Sequence, residues 1–297
     1  MLRTDELKDV EIIKSVIGKN NELIITRMGG MTNRTYRVKV SNEEIVVRLP
    51  GEGTEELINR KNEKISTQLA CQLGIDSQLY MFDELSGIKV SKYIMNAETM
   101  TKQRLQEDVN LVKVAKVLGV LHSCGKDTGV SFDVIEMAKR YENIIQEGKG
   151  SFYEGYDEIK KRIELIKKEY LSSINKVPCH NDPLCENWIL QLDSKMYLID
   201  WEYAGMNDPM WDLADVALEA ELNNEQERLL LKSYFSHEPG EKEWKAFHIN
   251  KVLIDYLWSL WGKARAIYDG EVMEEYAAIR YERMKNSMNT CLQYFIV

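Results

Sequence analysis

Apolar and polar positions along the chain follow two different rhythms. Between residues 22 and 94 the apolar residues recur at a period of about two, in short runs rich in Ile, Val, Thr and Tyr. Runs at 22–28, 34–40 and 44–49 are separated by Gly29-Gly30 and Ser41-Asn42, the pattern of an antiparallel meander. After Pro50-Gly51 and Gly53, Thr54 is placed to cap a helix carrying Leu57, Ile58, Ile65, Leu69 and Leu73, with Gly74 at its end. Two further strands, at 79–82 and 88–94, flank the turn-like stretch 83–87. The expectation for residues 1–95 is a small domain: five antiparallel strands with one helix inserted after the third.

From about Asn96 the period lengthens to that of helices, at 105–122, 133–147, 156–171, 210–222, 225–235, 242–268 and 273–294. One irregular passage, 178–188, interrupts them. It is followed by two short apolar strands, 188–190 and 196–199, around a turn at Asp193-Ser194. Residues 96–297 are therefore expected to form a second, mainly helical domain whose strand-flanked loop is the natural place for chemistry. The chain has no internal repeat and no low-complexity tract.

Composition narrows the function classes. With 39 Lys and Arg against 48 Asp and Glu, the 297-residue chain carries a net charge of −9, a poor match to a nucleic-acid backbone. Five scattered cysteines with no Cys-x-x-Cys pair argue against a disulfide framework and a zinc site, and favour the reducing cytoplasm. The charged first ten residues lack a signal-like apolar core, and no apolar run is long enough to span a membrane. Nucleic acid and membrane are not expected partners.

The irregular passage reads His180-Asn181-Asp182-Pro183-Leu184-Cys185-Glu186-Asn187. In the H-x-D-x-x-x-x-N loop of kinases, the Asp accepts a hydroxyl proton and the Asn holds Mg²⁺. The strand pair that follows delivers Asp200 toward the same place. Asp182 thus suits a general base, and Asn187 with Asp200 suits magnesium. Upstream, Gly29-Gly30-Met31-Thr32-Asn33 joins two strands and can lay backbone N–H groups, Thr32 and Asn33 over phosphates. Arg48 on the third strand stands where a phosphate-binding lysine is used elsewhere, and Glu63 on the following helix is its expected partner.

These segments, GGMTNRTYRV (29–38), VVRLPGEGTEELINRKNE (46–63), HNDPLCEN (180–187), LIDWEYAGMNDPMWDLA (198–214) and LWSLW (257–261), resemble the choline/ethanolamine kinase branch of the aminoglycoside-phosphotransferase-like kinases. The similarity is nearest to the bacterial choline kinases that supply phosphocholine for surface decoration. The resemblance covers about residues 20–285 and implies an α+β, bilobal protein-kinase-like fold. It implies ATP and Mg²⁺ as cofactors, Asp182 as catalytic base, and Asn187 and Asp200 as metal ligands. Gly30, Thr32, Asn33, Arg48 and Glu63 would serve the nucleotide phosphates, and Ser91, Tyr93 and Ile94 the adenine. Lys92 stands where relatives are expected to carry an acid or an amide. His180 would support the loop.

All six tryptophans lie from Trp188 onward, and Trp258 and Trp261 are three apart on one predicted helix, so they share a face. A trimethylammonium group has charge but no N–H, and aromatic faces with a carboxylate recognise it best. The resemblance puts Tyr203, Trp258, Trp261 and Tyr276 around choline, with Glu202 and Glu219 as candidate anions. Asp212, Asp215 and Glu219 share one helical face, and Trp211 is expected in the core. Ethanolamine, thiamine and aminoglycosides are the alternative acceptors; a non-catalytic kinase-like binding module is the alternative outside enzymes.

Overall fold

A computed structural model describes residues 4–18, 23–28, 33–51, 58–192 and 195–292. The chain divides into two compact units, one of Met1–Thr99 with Asn187–Tyr203, the other of Met100–Glu186 with Ala204–Val297.

The first unit is built on five strands, β1 (Leu23–Arg27), β2 (Asn33–Val40), β3 (Glu43–Pro50), β4 (Leu79–Phe82) and β5 (Lys89–Lys92), paired antiparallel in the order β1-β2-β3-β5-β4. Alternation fixes which face is buried. Tyr36 and Val38 of β2 and Ile45, Val47 and Leu49 of β3 point to one side, where they form a core with Val90.

That core contains a residue from an element the sequence reading did not expect. Helix α1 (Thr4–Ile17) inserts Ile13, fully buried, against the sheet. Its Asp9 accepts hydrogen bonds from the Tyr36 hydroxyl at 2.6 Å and from Arg34 Nε at 2.8 Å. Among its described residues the unit therefore has two helices where one was expected. The second, α2 (Arg60–Gln72), begins later than the Thr54 cap implied: Asn59 caps it, its side chain accepting from the Asn62 amide. Thr54 and Leu57 lie outside the described residues.

The expected boundary at 95/96 also moves. Strand β6 (Ala97–Thr99) pairs with β8 (Trp188–Gln191), which pairs with β9 (Met196–Leu198). The late hairpin thus belongs to the first unit, tied there by Leu198 N–H to Ile75 O and by Trp201 Nε1 to Asp76. Backbone pairing across a long sequence gap leaves no local periodicity, which is why the alternation of residues 188–199 was assigned to the helical half.

The second unit is helical: α3 (Lys102–Leu105), α4 (Asp108–His122), α5 (Val134–Glu147), α6 (Tyr156–Glu169), α7 (Pro209–Glu219), α8 (Asn224–Phe235), α9 (Glu241–Asp269) and α10 (Glu271–Leu292). Its short ladder, β7 (Val177–Cys179) with β10 (Gly205–Asn207), brackets the irregular passage. The helix starts are legible: Asp133, Asp208 and Asn223 each accept from the amides of the turn they open. Helix α9 buries nearly every residue from Phe247 to Ala264, and Gly262 lets α10 approach closely. A Cβ at Gly262 would lie 2.7 Å from the Tyr276 ring and 3.0 Å from Ala277.

Candidate active site

Each unit gathers its own set of functional groups. In the first, β3 and α2 bring Arg48 and Glu63 together as expected, both almost fully buried. The guanidinium bonds the Glu63 carboxylate through both terminal nitrogens, the bidentate geometry that arginine forms best. Arg48 Nη1 also donates to Glu202 at 3.0 Å and lies 3.5 Å from Asp200, and Nη2 donates to Gly87 O at 3.3 Å.

Glu202 was expected beside the acceptor. In the structure it accepts from Arg48, from Arg60 Nη1 at 2.8 Å and from Asn33 Nδ2 at 2.8 Å, so its charge is committed to the cluster around Arg48. Tyr203 likewise falls in the first unit, apart from the unit that holds the tryptophan pair.

The cluster crowds three acids, Glu63, Asp200 and Glu202, with ligand oxygens all within 4.8 Å of one another. Burial opposes charge on Arg48, but Glu63 and Glu202 outweigh it and hold the guanidinium more firmly protonated than usual. Burial likewise opposes charge on Glu63, yet Arg48, Lys89 and Arg60 keep it below the ordinary carboxylate range. Glu202 is pushed the other way by burial and by Asp200, with Arg48 only partly compensating. Three cations, Arg48, Arg60 and Lys89, face these three acids, and Asp200 is the one they hold least, 3.5 Å from Arg48.

Beside this cluster lies a cavity of about 160 Å³ lined by Thr35, Arg48, Lys89, Ser91, Tyr93 and Ile94 among others. The expected adenine segment is therefore on the cavity wall, together with Lys92 and Asp200. The amides of Lys92 and Tyr93 are bonded to Gln78 O and Glu44 O, which fixes this segment to the sheet. Gly30 and Thr32 lie outside the described residues.

Sequence reasoning missed Arg60, Lys89 and Asp76. Arg60 had a signal, standing one helical turn before Glu63. Lys89 faces Arg48 only because β3 pairs with β5 in the register Arg48↔Lys89. Asp76 is buried, accepts from Trp201 Nε1 at 3.0 Å, and burial raises its carboxyl to about 6. The unfolded group ionises near 3.8, so between these values the unfolded chain has already lost a proton that the folded one keeps. Stability is full below about pH 4 and falls as pH rises through 6, by roughly 3 kcal/mol in all. Asp76→Asn keeps an acceptor for Trp201 and is expected to flatten that slope in urea unfolding at pH 4 and pH 7; an unchanged slope would refute the assignment.

In the second unit the loop carrying Asp182 hangs from α7. Asp212 accepts the His180 amide at 2.8 Å and the Asn181 amide at 2.7 Å, and is itself bonded to His122 Nε2 at 3.0 Å, with Tyr234 on the other ring nitrogen. Asn181 adopts a left-handed backbone, φ 67°, held by Trp211 Nε1 on its carbonyl and Asn207 on its side chain. Trp211 is core, as expected, and also pins the loop. His180 is fully buried and its Nδ1 accepts the Asp182 amide at 3.3 Å, consistent with support rather than reaction. Asp182 is therefore placed by backbone bonds on both sides of it. Asn187 ends the following 3₁₀ turn; its carbonyl accepts the Ile199 amide at 2.9 Å within the first unit, beside Asp200 in sequence.

The same unit assembles Trp258, Trp261 and Tyr276. The two indoles meet edge to face at 6.0 Å, and Trp261 meets Tyr276 likewise at 5.9 Å. Arg280 lies over the Tyr276 ring, 5.0 Å from its centroid. Glu219, the remaining candidate anion, is bridged to Arg280 at 2.7 Å. Asp215, on the same helix as Glu219, is fully buried.

Comparison with known proteins identifies the family. Residues 24–282 match the family model described as Choline/ethanolamine kinase. Protein LicA of Haemophilus influenzae is 31% identical over 264 residues, 85% of this chain and 96% of that protein. The crystal structure of choline kinase LicA from Streptococcus pneumoniae superposes with a TM-score of 0.82 at 34% identity, covering 94% of this chain and 98% of that one. A probable ethanolamine kinase of Arabidopsis thaliana is 28% identical over 63% of this chain and 53% of its own length. Aminoglycoside phosphotransferases share the protein-kinase-like fold alone. The chain belongs to the choline/ethanolamine kinase family, ATP-dependent phosphotransferases that act on an alcohol.

Proposed function

We propose that the protein transfers the γ-phosphoryl group of ATP to the hydroxyl of choline, giving phosphocholine and ADP. The observation that carries the choline assignment is the cluster of Trp258, Trp261 and Tyr276 in the unit that also holds Asp182. A quaternary ammonium is bound by ring faces and by nearby negative charge, with no hydrogen-bond donor of its own to satisfy.

In this reading Asp182 accepts the hydroxyl proton as the new O–P bond forms and the bridging bond to ADP breaks. Asn33, Arg48, Ser91, Tyr93 and Ile94 serve the nucleotide, and Glu63 fixes Arg48. Glu202 is reassigned from the acceptor to Arg48 and Arg60. For Mg²⁺ the donor chemistry fits: Asp200 is about a third exposed and held only loosely by Arg48, and its carboxylate with the Asn187 amide oxygen makes a hard-oxygen set for a hard cation. The ion, when bound, neutralises charge on the phosphates.

The test is Mg²⁺-dependent ADP release with choline, ethanolamine, thiamine and kanamycin side by side, with Asp182→Asn as the blank. Highest kcat/KM with choline is the expected result; thiamine or kanamycin as the best substrate would refute the aromatic assignment while leaving Asp182 in its role. Trp261→Ala is expected to raise the choline KM about tenfold or more with kcat little changed. Trp258 is less suitable, because it is 4% exposed and its truncation also removes core packing.

A further inference from the structure

Helix α7 carries three acids at one-turn spacing, and the structure gives protein partners to two of them. Asp212 is taken by the backbone amides of His180 and Asn181 and by His122. Glu219 is taken by Arg280 at 2.7 Å and Arg283 at 3.4 Å, and both arginines are also anchored on Asp255. Asp215 is fully buried, and neither of its carboxylate oxygens has a hydrogen-bond partner. A buried carboxylate ordinarily accepts several hydrogen bonds. The nearest candidate donor, Arg280, is already shared between Glu219, Asp255 and the face of Tyr276.

The surroundings say what would fill the gap. Asp215 is acted on by the charges of Glu219 and Asp212 from its own helix, Asp182 from the loop and Arg280 from α10, and it acts in turn on Tyr276. It therefore stands among the base, the arginine-paired acid and the aromatic cluster. In that cluster the Trp261 Nε1 is a second buried polar atom without a partner. Burial first, then Glu219 and Asp182, push the Asp215 carboxyl well above the usual range, and Arg280 offsets them only in part. A cation with N–H donors would supply both the missing charge and the missing hydrogen bonds.

Choline brings charge but no N–H, so ring faces and nearby negative charge serve it without a hydrogen-bond acceptor. Ethanolamine brings three N–H donors that rings cannot satisfy. Resting on the reading above, we propose that Asp215 receives the ammonium N–H groups of a primary amino alcohol, so that the site serves ethanolamine as well as choline. Asp215 is then the residue that sets the ratio between the two acceptors.

The experiment compares kcat/KM for choline and for ethanolamine in the parent protein and in Asp215→Asn, with thermal unfolding of both in the absence of ligand. The substitution is isosteric and removes no protein partner, so the unfolding temperature is expected to stay level or rise. The expected result is a loss with ethanolamine about tenfold to a hundredfold greater than with choline, the range for hydrogen bonds to a charged group. Equal losses with both acceptors, or a lowered unfolding temperature with no change in their ratio, would overturn the proposal. A parent enzyme that turns over choline but not ethanolamine would overturn it too, and leave the choline reading intact. A parent inactive on both would overturn that reading and this one together.

Discussion

Asp182→Asn is expected to lower kcat by about a hundredfold to ten-thousandfold, the span attributed to a positioned general base, while ATP binding stays within about twofold of the parent. The separation follows from how the loop is held. Asp212 grips the amides of residues 180 and 181, Trp211 and Asn207 grip Asn181, and Leu184 N–H bonds the Asp182 carbonyl. These supports are indifferent to whether the side chain ends in a carboxylate or an amide. The cavity proposed for the nucleotide, moreover, is lined wholly by residues of the first unit. Turnover by rapid ADP detection and ATP affinity by calorimetry read the two effects apart. Parallel loss of both would show that the loop collapses rather than that a base is missing.

Arg48→Met is expected to lower folding stability by about 3–5 kcal/mol and to abolish useful ATP affinity. The substitution leaves Glu63, with a fully buried side chain, and Glu202, 5% exposed, without their main cation, and removing one member of a buried pair costs on that order. Arg60 remains on both acids, which keeps the expected loss at the lower end. The double variant Arg48→Met with Glu63→Leu should regain part of the stability, because it removes the stranded charge, while nucleotide affinity stays lost. Arg48→Lys should fall between, since an ammonium cannot make the two-pronged bond. Urea unfolding of the three variants and the parent decides the matter: a double variant less stable than Arg48→Met would contradict the stranded-charge account.

Much of this architecture was readable in the chain because the features were local. The alternation in β2 and β3, the helical period from α4 to α10, and the loop from His180 to Asn187 all depend on near neighbours. What escaped was long-range. Helix α1 has its clearest apolar contact at Ile13 and gains its place from Asp9 meeting Tyr36 and Arg34 on the sheet. Strands β6 and β8 are short and recognisable only as a pair. At the site, Glu202 looked like an acceptor anion from its place in the sequence; its fate was decided by Arg48 and Arg60, 154 and 142 residues away. Asp215 and Glu219 were equivalent as acids on one helical face, and only the arginines of α10 distinguish them.

The first unit is discontinuous in the chain, and this has a consequence for how the protein comes into being. A nascent chain that has emerged only through Thr99 holds the five-stranded sheet but lacks Trp201 for Asp76 and Glu202 for Arg48, Arg60 and Asn33. Its basic pair faces Glu63 alone, and strand β6 has no neighbour. The amino-terminal portion can therefore only finish folding after the first half of the helical unit has been synthesised, so the two halves mature together rather than in sequence. During that interval β6 lacks the strand it pairs with, and Asp76 lacks the indole N–H that it accepts in the finished fold.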